Sequence, residues 1–161
     1  MNLDEPLLVV AQVAELAQTD IVNSHTWTTR GFTDPYHTSR RVRRGGGRVR
    51  SYSIRDALRF FLMARLHRQY RTPLPQGSQI CQDVFGEENF NPQKAGYLVL
   101  EEGPGIGRVR WFENSKTLGE HLECEAVSLV INVRYILHDV ESRARQFLVA
   151  AHVPVQIIGE R

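Results

Sequence analysis

The chain has 161 residues, of which 42% are hydrophobic and 24% are charged. This length suffices for one substantial core or for two small domains. Residues 1–5 lack the basic start of a secretory signal, and no run reaches the roughly 18 apolar residues that a membrane span requires. Only two cysteines, Cys81 and Cys124, are present, and they lie too far apart to indicate a small disulfide-stapled fold. We therefore expect a cytoplasmic protein with free thiols and no membrane partner.

Charge is distributed unevenly along the chain. Residues 1–70 contain 11 arginines and 6 acidic residues, a net charge of +5, whereas residues 71–161 contain 9 basic and 12 acidic residues, a net charge of −3. This asymmetry indicates that the front part contacts a polyanion and that the rear part does not.

Two short helices are predicted at the start of the chain. Residues 7–18 place apolar side chains on one helical stripe. Residues 19–24 have the chemistry of a turn, with Asn23 or Ser24 as the N-cap of a second helix that runs to Arg30 and stops at Gly31. A helix, a tight turn and a second helix form an arrangement in which the second helix can enter a major groove.

The second predicted helix carries hydroxyl, imidazole and guanidinium groups that suit base edges and phosphates. Trp27 is expected to anchor this helix to the core. Because successive helical residues lie about 100° apart, only part of the segment can face DNA. The predicted DNA-contacting residues here are Ser24, His25, Thr28, Thr29 and Arg30.

A basic hairpin is predicted after a polar loop. Two short Arg/Val alternations are joined by three glycines at 45–47, which predicts a hairpin with Val42 and Val49 facing inward. Arginine suits bidentate phosphate contacts and insertion into a minor groove. The alternative is a solvated charge run without structure. The basic residues are Arg40, Arg41, Arg43, Arg44, Arg48 and Arg50.

A third helix is predicted to open with a capping box formed by Ser53 and Asp56. Behind it, Leu58, Leu62 and Leu66 continue one apolar stripe that is typical of a core helix.

Three stretches of the front part resemble the DNA-binding domain of the MerR family. They are residues 13–17, residues 21–27 and, most specifically, residues 50–58, which read R-S-Y-S-I-R-D-A-L. The resemblance covers about residues 7–70 and implies a winged helix-turn-helix. It also implies that Arg50 and Tyr52 contact the phosphate backbone, that Arg30 and its neighbours lie in the major groove, and that a dimer binds an inverted repeat.

The chain departs from the family pattern in three respects. Residues 29–32 replace the usual aromatic pair and glutamate, the wing has an extra basic Arg/Gly tip, and no long dimerisation helix follows Leu66. The resemblance therefore does not imply metal or drug sensing. Phage and mobile-element regulators with a MerR-like head and a divergent tail are similar in general organisation.

The rear part is predicted to be a small α+β domain. Residues 71–95 are expected to form a linker with a short helix at 78–85, followed by a hairpin of strands at 97–100 and 108–112. A strand at 127–133 and an amphipathic helix at 133–150 complete it. The predicted fold class is thus α+β, with a winged helix-turn-helix at 1–70, the linker at 71–95 and the second domain at 96–161.

The rear domain is also predicted to form a homodimer, because it contains more apolar surface than three strands and one helix easily bury. A self-contained core is the alternative. The predicted dimer residues are Val127, Leu129, Ile131, Ile136, Leu137, Val140, Phe147 and Leu148.

No constellation of residues predicts catalysis, a metal or a cofactor. One cluster, Glu120, His121, Cys124 and Glu125, has an i and i+3 spacing that could bring two metal ligands together on a helix, but a structural zinc site needs a second pair. The glycine run at 103–107 lacks the Lys-Ser/Thr of a phosphate-binding loop, and Glu101 and Glu102 point to opposite faces of a strand.

The sequence therefore predicts a non-enzymatic, nucleoid-associated transcriptional regulator that binds double-stranded DNA at an inverted repeat. RNA polymerase or another regulator is a further expected partner. Two alternatives stay open. One is a recombination directionality factor or other DNA-bending protein, and the other is an RNA-binding or protein-interaction module.

Overall fold

The computed structural model describes residues 3–33, 42–44, 47–49, 51–86, 90–94, 96–101, 109–123 and 127–152. Their fold class is α+β, as predicted. The helices are α1 (Val10–Leu16), α2 (Ile21–Thr29), α3 (Ile54–Tyr70), α4 (Leu74–Phe85), α5 (Ser115–Leu122) and α6 (Val133–His152). The strands are β1 (Leu8–Val9), β2 (Val42–Arg44), β3 (Gly47–Val49), β4 (Ser51–Tyr52), β5 (Tyr97–Glu101), β6 (Val109–Phe112) and β7 (Val127–Asn132).

Helix α2 begins earlier than the cap prediction placed it. Its N-cap is Asp20, whose carboxylate accepts a hydrogen bond from the backbone N–H of Asn23 at 2.5 Å. Asn23 and Ser24 lie inside the helix, so the prediction that one of them caps it is wrong. Asp20 has the extended backbone of an N-cap and a charged acceptor that suits the positive end of a helix. Gly31, with φ of 72°, follows the helix as predicted.

Helix α3 begins with the predicted capping box. The Ser53 hydroxyl accepts from the Asp56 N–H at 3.1 Å, and the Asp56 carboxylate accepts from the Ser53 N–H at 2.8 Å. Both side chains are buried, so two backbone donors that would otherwise be unpaired in the core are satisfied. This start fixes the register of the helix around which the rest of the chain packs.

Three small antiparallel sheets are present in the described part of the chain. Strands β2 and β3 form the predicted hairpin, with Val42 opposite Val49 and Arg43 opposite Arg48 in the backbone register. Strand β1 pairs with β4, a contact that the sequence did not predict. In the rear sheet β5 lies between β6 and β7, which confirms the predicted hairpin and third strand.

The region predicted as a linker contains a longer helix than expected. Helix α4 starts at Leu74, four residues before the predicted start at residue 78. Pro75 does not prevent this start, because it lies in the first turn of the helix, where a backbone N–H has no partner within the helix. Ile80 and Val84 of α4 are buried, and the helix packs on α3.

One cluster of buried side chains extends from Leu3 to Ala144 and includes residues of α1, α3, α4, β5 and α6. The division into domains at 1–70 and 96–161 stays a prediction, and both regions contribute to this cluster. No helix in the described residues has the length and apolar character needed to cross a bilayer.

Candidate nucleic-acid interface

Helix α2 is attached to the protein by one face. Trp27 is 3% exposed, and its ring stacks on Phe60 of α3 at 6.3 Å between centroids and meets the edge of His67 at 6.4 Å. This indole is the large apolar contact of α2, as the sequence predicted. It fixes the rotation of the helix about its own axis.

Two hydroxyl residues lie on the same face as Trp27. Ser24 donates to the backbone oxygen of Asp20 at 3.1 Å, and Thr28 donates to that of Ser24 at 3.0 Å. Both side chains are buried, so their hydrogen-bonding capacity is satisfied within the helix. The prediction that Ser24 and Thr28 contact DNA is therefore wrong, because the rotation set by Trp27 buries both side chains.

The opposite face of α2 is open. His25, Thr29 and Arg30 are exposed, and Thr26 is half-buried. The Thr29 hydroxyl donates to the His25 carbonyl at 2.8 Å, which leaves its oxygen able to accept a further hydrogen bond. The structure thus brings two of the five predicted α2 residues, His25 and Thr29, together on the face opposite Trp27, and Arg30 is exposed at the C-cap of the helix.

Sequence reasoning missed Val22, which is 74% exposed on this outward face. The turn chemistry of residues 19–24 predicts a helix that starts after Val22, so Val22 is absent from the predicted surface. A helical projection from Trp27 at about 100° per residue puts Val22 roughly opposite the indole, and this calculation would have found it.

Tyr52 does not lie on an accessible surface. Its side chain is 2% exposed, and its ring meets Phe60 edge-on at 5.9 Å. The pairing of β4 with β1 holds this residue against the core. The phosphate contact that the MerR resemblance implies for Tyr52 is therefore contradicted here.

Three of the six predicted basic residues of the hairpin lie in the described strands. Arg43, Arg44 and Arg48 lie in β2 and β3, and their backbones form a short ribbon. Arg40, Arg41 and Arg50 lie outside the described residues.

Two arginines of α3 serve the core and do not form part of a polyanion site. Arg55 pairs with Asp4 and donates to the Phe85 carbonyl at 3.2 Å, and Arg59 donates to the same carbonyl at 3.2 Å. Both are buried and hold the C-terminal end of α4, where helix carbonyls favour cations. Part of the positive charge counted in residues 1–70 is thus used internally.

The turn between α1 and α2 is held from two sides. Arg68 of α3 donates to the carbonyl of Gln18 at 2.7 Å and to the Thr19 hydroxyl at 3.2 Å. Gln18 itself has a left-handed φ of 53°. These contacts fix a conformation that a non-glycine residue rarely adopts.

Arg143 of α6 reaches the same region from the rear of the chain. Its guanidinium donates to the Leu16 carbonyl at 3.0 Å and is held by Asp139 at 2.6 Å. The last carbonyls of α1 therefore receive a cation that caps the helix end. Helix α6 thus helps to position the two-helix unit.

Half of the eight predicted dimer residues lie inside the chain. Ile131, Ile136, Leu137 and Val140 are buried in the core cluster, so their assignment to a dimer interface is wrong. Leu129 and Phe147 are half-buried against this cluster, and Leu148 is half-buried as well. The side chain of Val127 lies outside the described residues. The apolar stripe of α6 packs on α1 and α3, and periodicity alone did not reveal this intramolecular partner.

His121 has a carboxylate partner. Its Nε2 lies 2.9 Å from Glu101, and Arg110 lies 2.7 Å from the same oxygen. No group of three metal-ligating residues occurs in the part of the chain that the structure describes, which does not include Cys124 or Glu125. The other cysteine, Cys81, is a free buried thiol, and burial raises its pKa to about 12, although Arg59 lowers it in part.

A cavity of about 460 Å³ lies between α3, β7 and α6. Phe61 and Ile136 contribute apolar surface to it, and Arg65 and Tyr135 are among its polar and aromatic lining residues. The Arg65 guanidinium lies over the Phe61 ring at 4.9 Å. This cavity is separate from the outward face of α2.

No protein-family model matches the chain, and no curated protein is significantly similar to it.

Proposed function

We propose that the protein binds double-stranded DNA sequence-specifically and acts as a transcriptional regulator. The observation that carries this proposal is the exposed surface of α2, where His25 and Thr29 lie opposite the buried Trp27 and Arg30 is exposed at the C-cap. In the complex α2 lies in the major groove, and the hairpin of β2 and β3 lies along the phosphates.

The contacts that hold α2 support a reading role. Base recognition requires side chains whose positions are set before binding, because each bidentate contact depends on geometry. Trp27 fixes the rotation of α2, and Arg68 and Arg143 fix the turn that precedes it. Specificity is assigned to His25, Thr29 and Arg30, which can donate to or accept from base edges.

The hairpin supplies affinity. Arg43, Arg44 and Arg48 lie within two short paired strands, so their charges are concentrated along one ribbon. Each phosphate that such a group neutralises releases counterions and steepens the salt dependence, with log K changing by about −0.9 per phosphate. The hairpin thus strengthens binding to every duplex and contributes little to the choice between sequences.

Dimer formation on an inverted repeat is part of the proposal. The rear half leaves Val130, Tyr135 and Val149 exposed at 38%, 70% and 68%. These side chains, with the half-buried Leu129 and Phe147, are the apolar surface that remains available to a second copy. Contact with RNA polymerase and a place at the nucleoid belong to the same proposal.

The test is selection of bound sequences from a random duplex pool with the purified full-length protein, followed by titration of the recovered duplex at two salt concentrations. We expect an inverted repeat and a steep salt slope. A matched RNA pool and a gel assay for DNA bending distinguish the alternatives. Recovery of no duplex motif, or preferential recovery of RNA, would contradict the proposed function, and a strong bend without an effect on a promoter would indicate an architectural role.

A further inference from the structure

Helix α2 carries two exposed apolar side chains, Ile21 and Val22, and Val22 is the one nearer the centre of the face that points away from the core. Val22 is 74% exposed, the highest value among the large hydrophobic side chains that the structure describes. At about 100° per residue, Thr26 and Thr29 lie within roughly 40° of Val22 around the helix, whereas Trp27 lies on the far side. Val22 therefore sits at the centre of the outward face.

The side chains nearest to Val22 around the helix are polar. His25, Thr26 and Thr29 flank it, and the other exposed apolar side chain of α2, Ile21 at 51%, lies about 100° away around the helix. Valine is also a poor helix former, because its β-branch loses rotamers against the preceding turn. Neither helix propensity nor packing within the chain accounts for valine at this position.

The position of Val22 also disfavours contact with a phosphate. Asp20, two residues earlier, places an exposed carboxylate at the start of α2, where it accepts from the backbone N–H and the side-chain amide of Asn23 at 2.5 Å and 2.6 Å. This charge occupies the helix N-terminus and repels a phosphate there. An uncharged, partly apolar partner suits the Val22 surface better.

The major-groove edges of DNA present one apolar group, the 5-methyl group of thymine. We infer that Val22 recognises a thymine by packing against this methyl group. The inference rests on the proposed function, in which α2 lies in the major groove, and it adds the base that the centre of the helix reads. His25 and Thr29 supply the polar contacts on either side.

The test uses the duplex recovered by selection and replaces its thymines one at a time by uracil, which removes only the methyl group. For the wild-type protein we expect one thymine in each half-site at which the replacement weakens binding about fourfold, the value for loss of one buried methyl. For Val22→Ala we expect weaker binding to the thymine duplex and no further loss with uracil at that position.

Leu122→Ala is the control, because Leu122 is a 43% exposed apolar side chain on α5 and belongs to neither the proposed DNA-binding surface nor the proposed dimer surface. It should keep the wild-type response to uracil. The circular dichroism and thermal midpoint of Val22→Ala should match the wild type, since the side chain packs on little of the protein.

The outcomes distinguish failure of the Val22 inference from failure of the proposed DNA-binding function. If the pool yields a motif but uracil has no effect at any position, or has the same effect in Val22→Ala as in the wild type, the inference is overturned and the proposed function stands. If the pool yields no duplex motif, the proposed function fails and the inference fails with it. If Val22→Ala instead disrupts dimer formation without changing the uracil response, Val22 contacts protein and the inference is wrong.

Discussion

Helices α2 and α6 are attached to the molecule in different ways. Helix α2 packs beside α1 and buries one large apolar side chain, Trp27, and its other buried side chains are hydroxyls that bond to their own backbone. Helix α6 is held by a row of apolar side chains from Val133 to Ala144 that belongs to the core cluster. One helix therefore keeps most of its surface for solvent or a ligand, and the other uses its apolar face within the chain.

This difference shows how a surface can be open and still be rigid. Helix α2 buries little apolar area, yet its rotation and its preceding turn are each fixed by specific contacts with α3 and α6. A helix held in this way can be substituted on its outer face with little effect on stability. Substitutions of the buried residues of α6 remove apolar contacts from the core and lower the stability of the protein.

The largest expected effect is the loss of the single anchor of α2. Trp27→Ala should lower the free energy of unfolding by about 3–5 kcal/mol, because a buried indole is removed and its contact with Phe60 is lost. Urea titration followed by Trp111 fluorescence measures this. Trp27→Phe, which keeps an aromatic ring, should recover much of the loss. A change under about 1 kcal/mol for Trp27→Ala would mean that α2 is held by other contacts.

A similar or slightly smaller loss of stability is expected when a buried side chain of α6 is truncated. Leu137→Ala should cost about 2–4 kcal/mol, because the side chain is buried in the shared cluster. Tyr135→Ala on the same helix, 70% exposed, should stay within about 0.5 kcal/mol of the wild type.

The same titration also tests the shared core. Trp27→Phe leaves Trp111 as the reporter in the rear half, and Trp111→Phe leaves Trp27 as the reporter in the front half. Because one cluster joins both halves, we expect Leu137→Ala to lower the midpoint of each single-tryptophan variant by the same amount. A shift for the Trp111 reporter alone would instead support two domains that unfold independently.

The smallest expected effect concerns the turn between α1 and α2. Arg143→Ala removes a charged donor from the Leu16 carbonyl and should cost about 1–2 kcal/mol. Arg145→Ala, an exposed neighbour on α6, is the control and should have almost no effect. Arg143→Lys should restore only part of the loss, because lysine lacks the planar fork of donors. Equal stability of the Arg143 and Arg145 variants would show that the contact is not a stabilising one.

Local sequence signals predicted several elements well. The capping box at Ser53 and Asp56 and the glycine-linked hairpin depend on residues close together in the chain, and both are present. Strands β1 and β4 were missed because two-residue strands have no periodicity. Helix α5 was also missed, although Asn114 caps it by accepting from the Thr117 N–H at 3.0 Å, a spacing that was available in the sequence.

The errors at the candidate site have one physical cause. Periodicity gives the spacing of a stripe and leaves its partner undetermined, so it predicts DNA contacts for Ser24 and Thr28, which are buried. For the same reason it predicts a dimer contact for Leu137, which packs inside the chain. The predicted anchor Trp27 implies a rotation of α2 that brings Ser24 and Thr28 to its own side, and the stacking of Trp27 on Phe60 confirms that anchor. Contacts across the fold therefore decide which residues remain for a ligand.

The central claim is that α2 selects the sequence and the hairpin supplies general affinity. The most direct test compares the affinities of the wild type, Arg30→Ala and the double variant Arg43→Ala/Arg44→Ala for the selected duplex and for a scrambled duplex of equal length. We predict that the double variant weakens binding to both duplexes by the same factor, and that Arg30→Ala weakens binding to the selected duplex alone. If neither variant changed either affinity, or if Arg30→Ala weakened both equally, the assignment of α2 to the major groove would be contradicted.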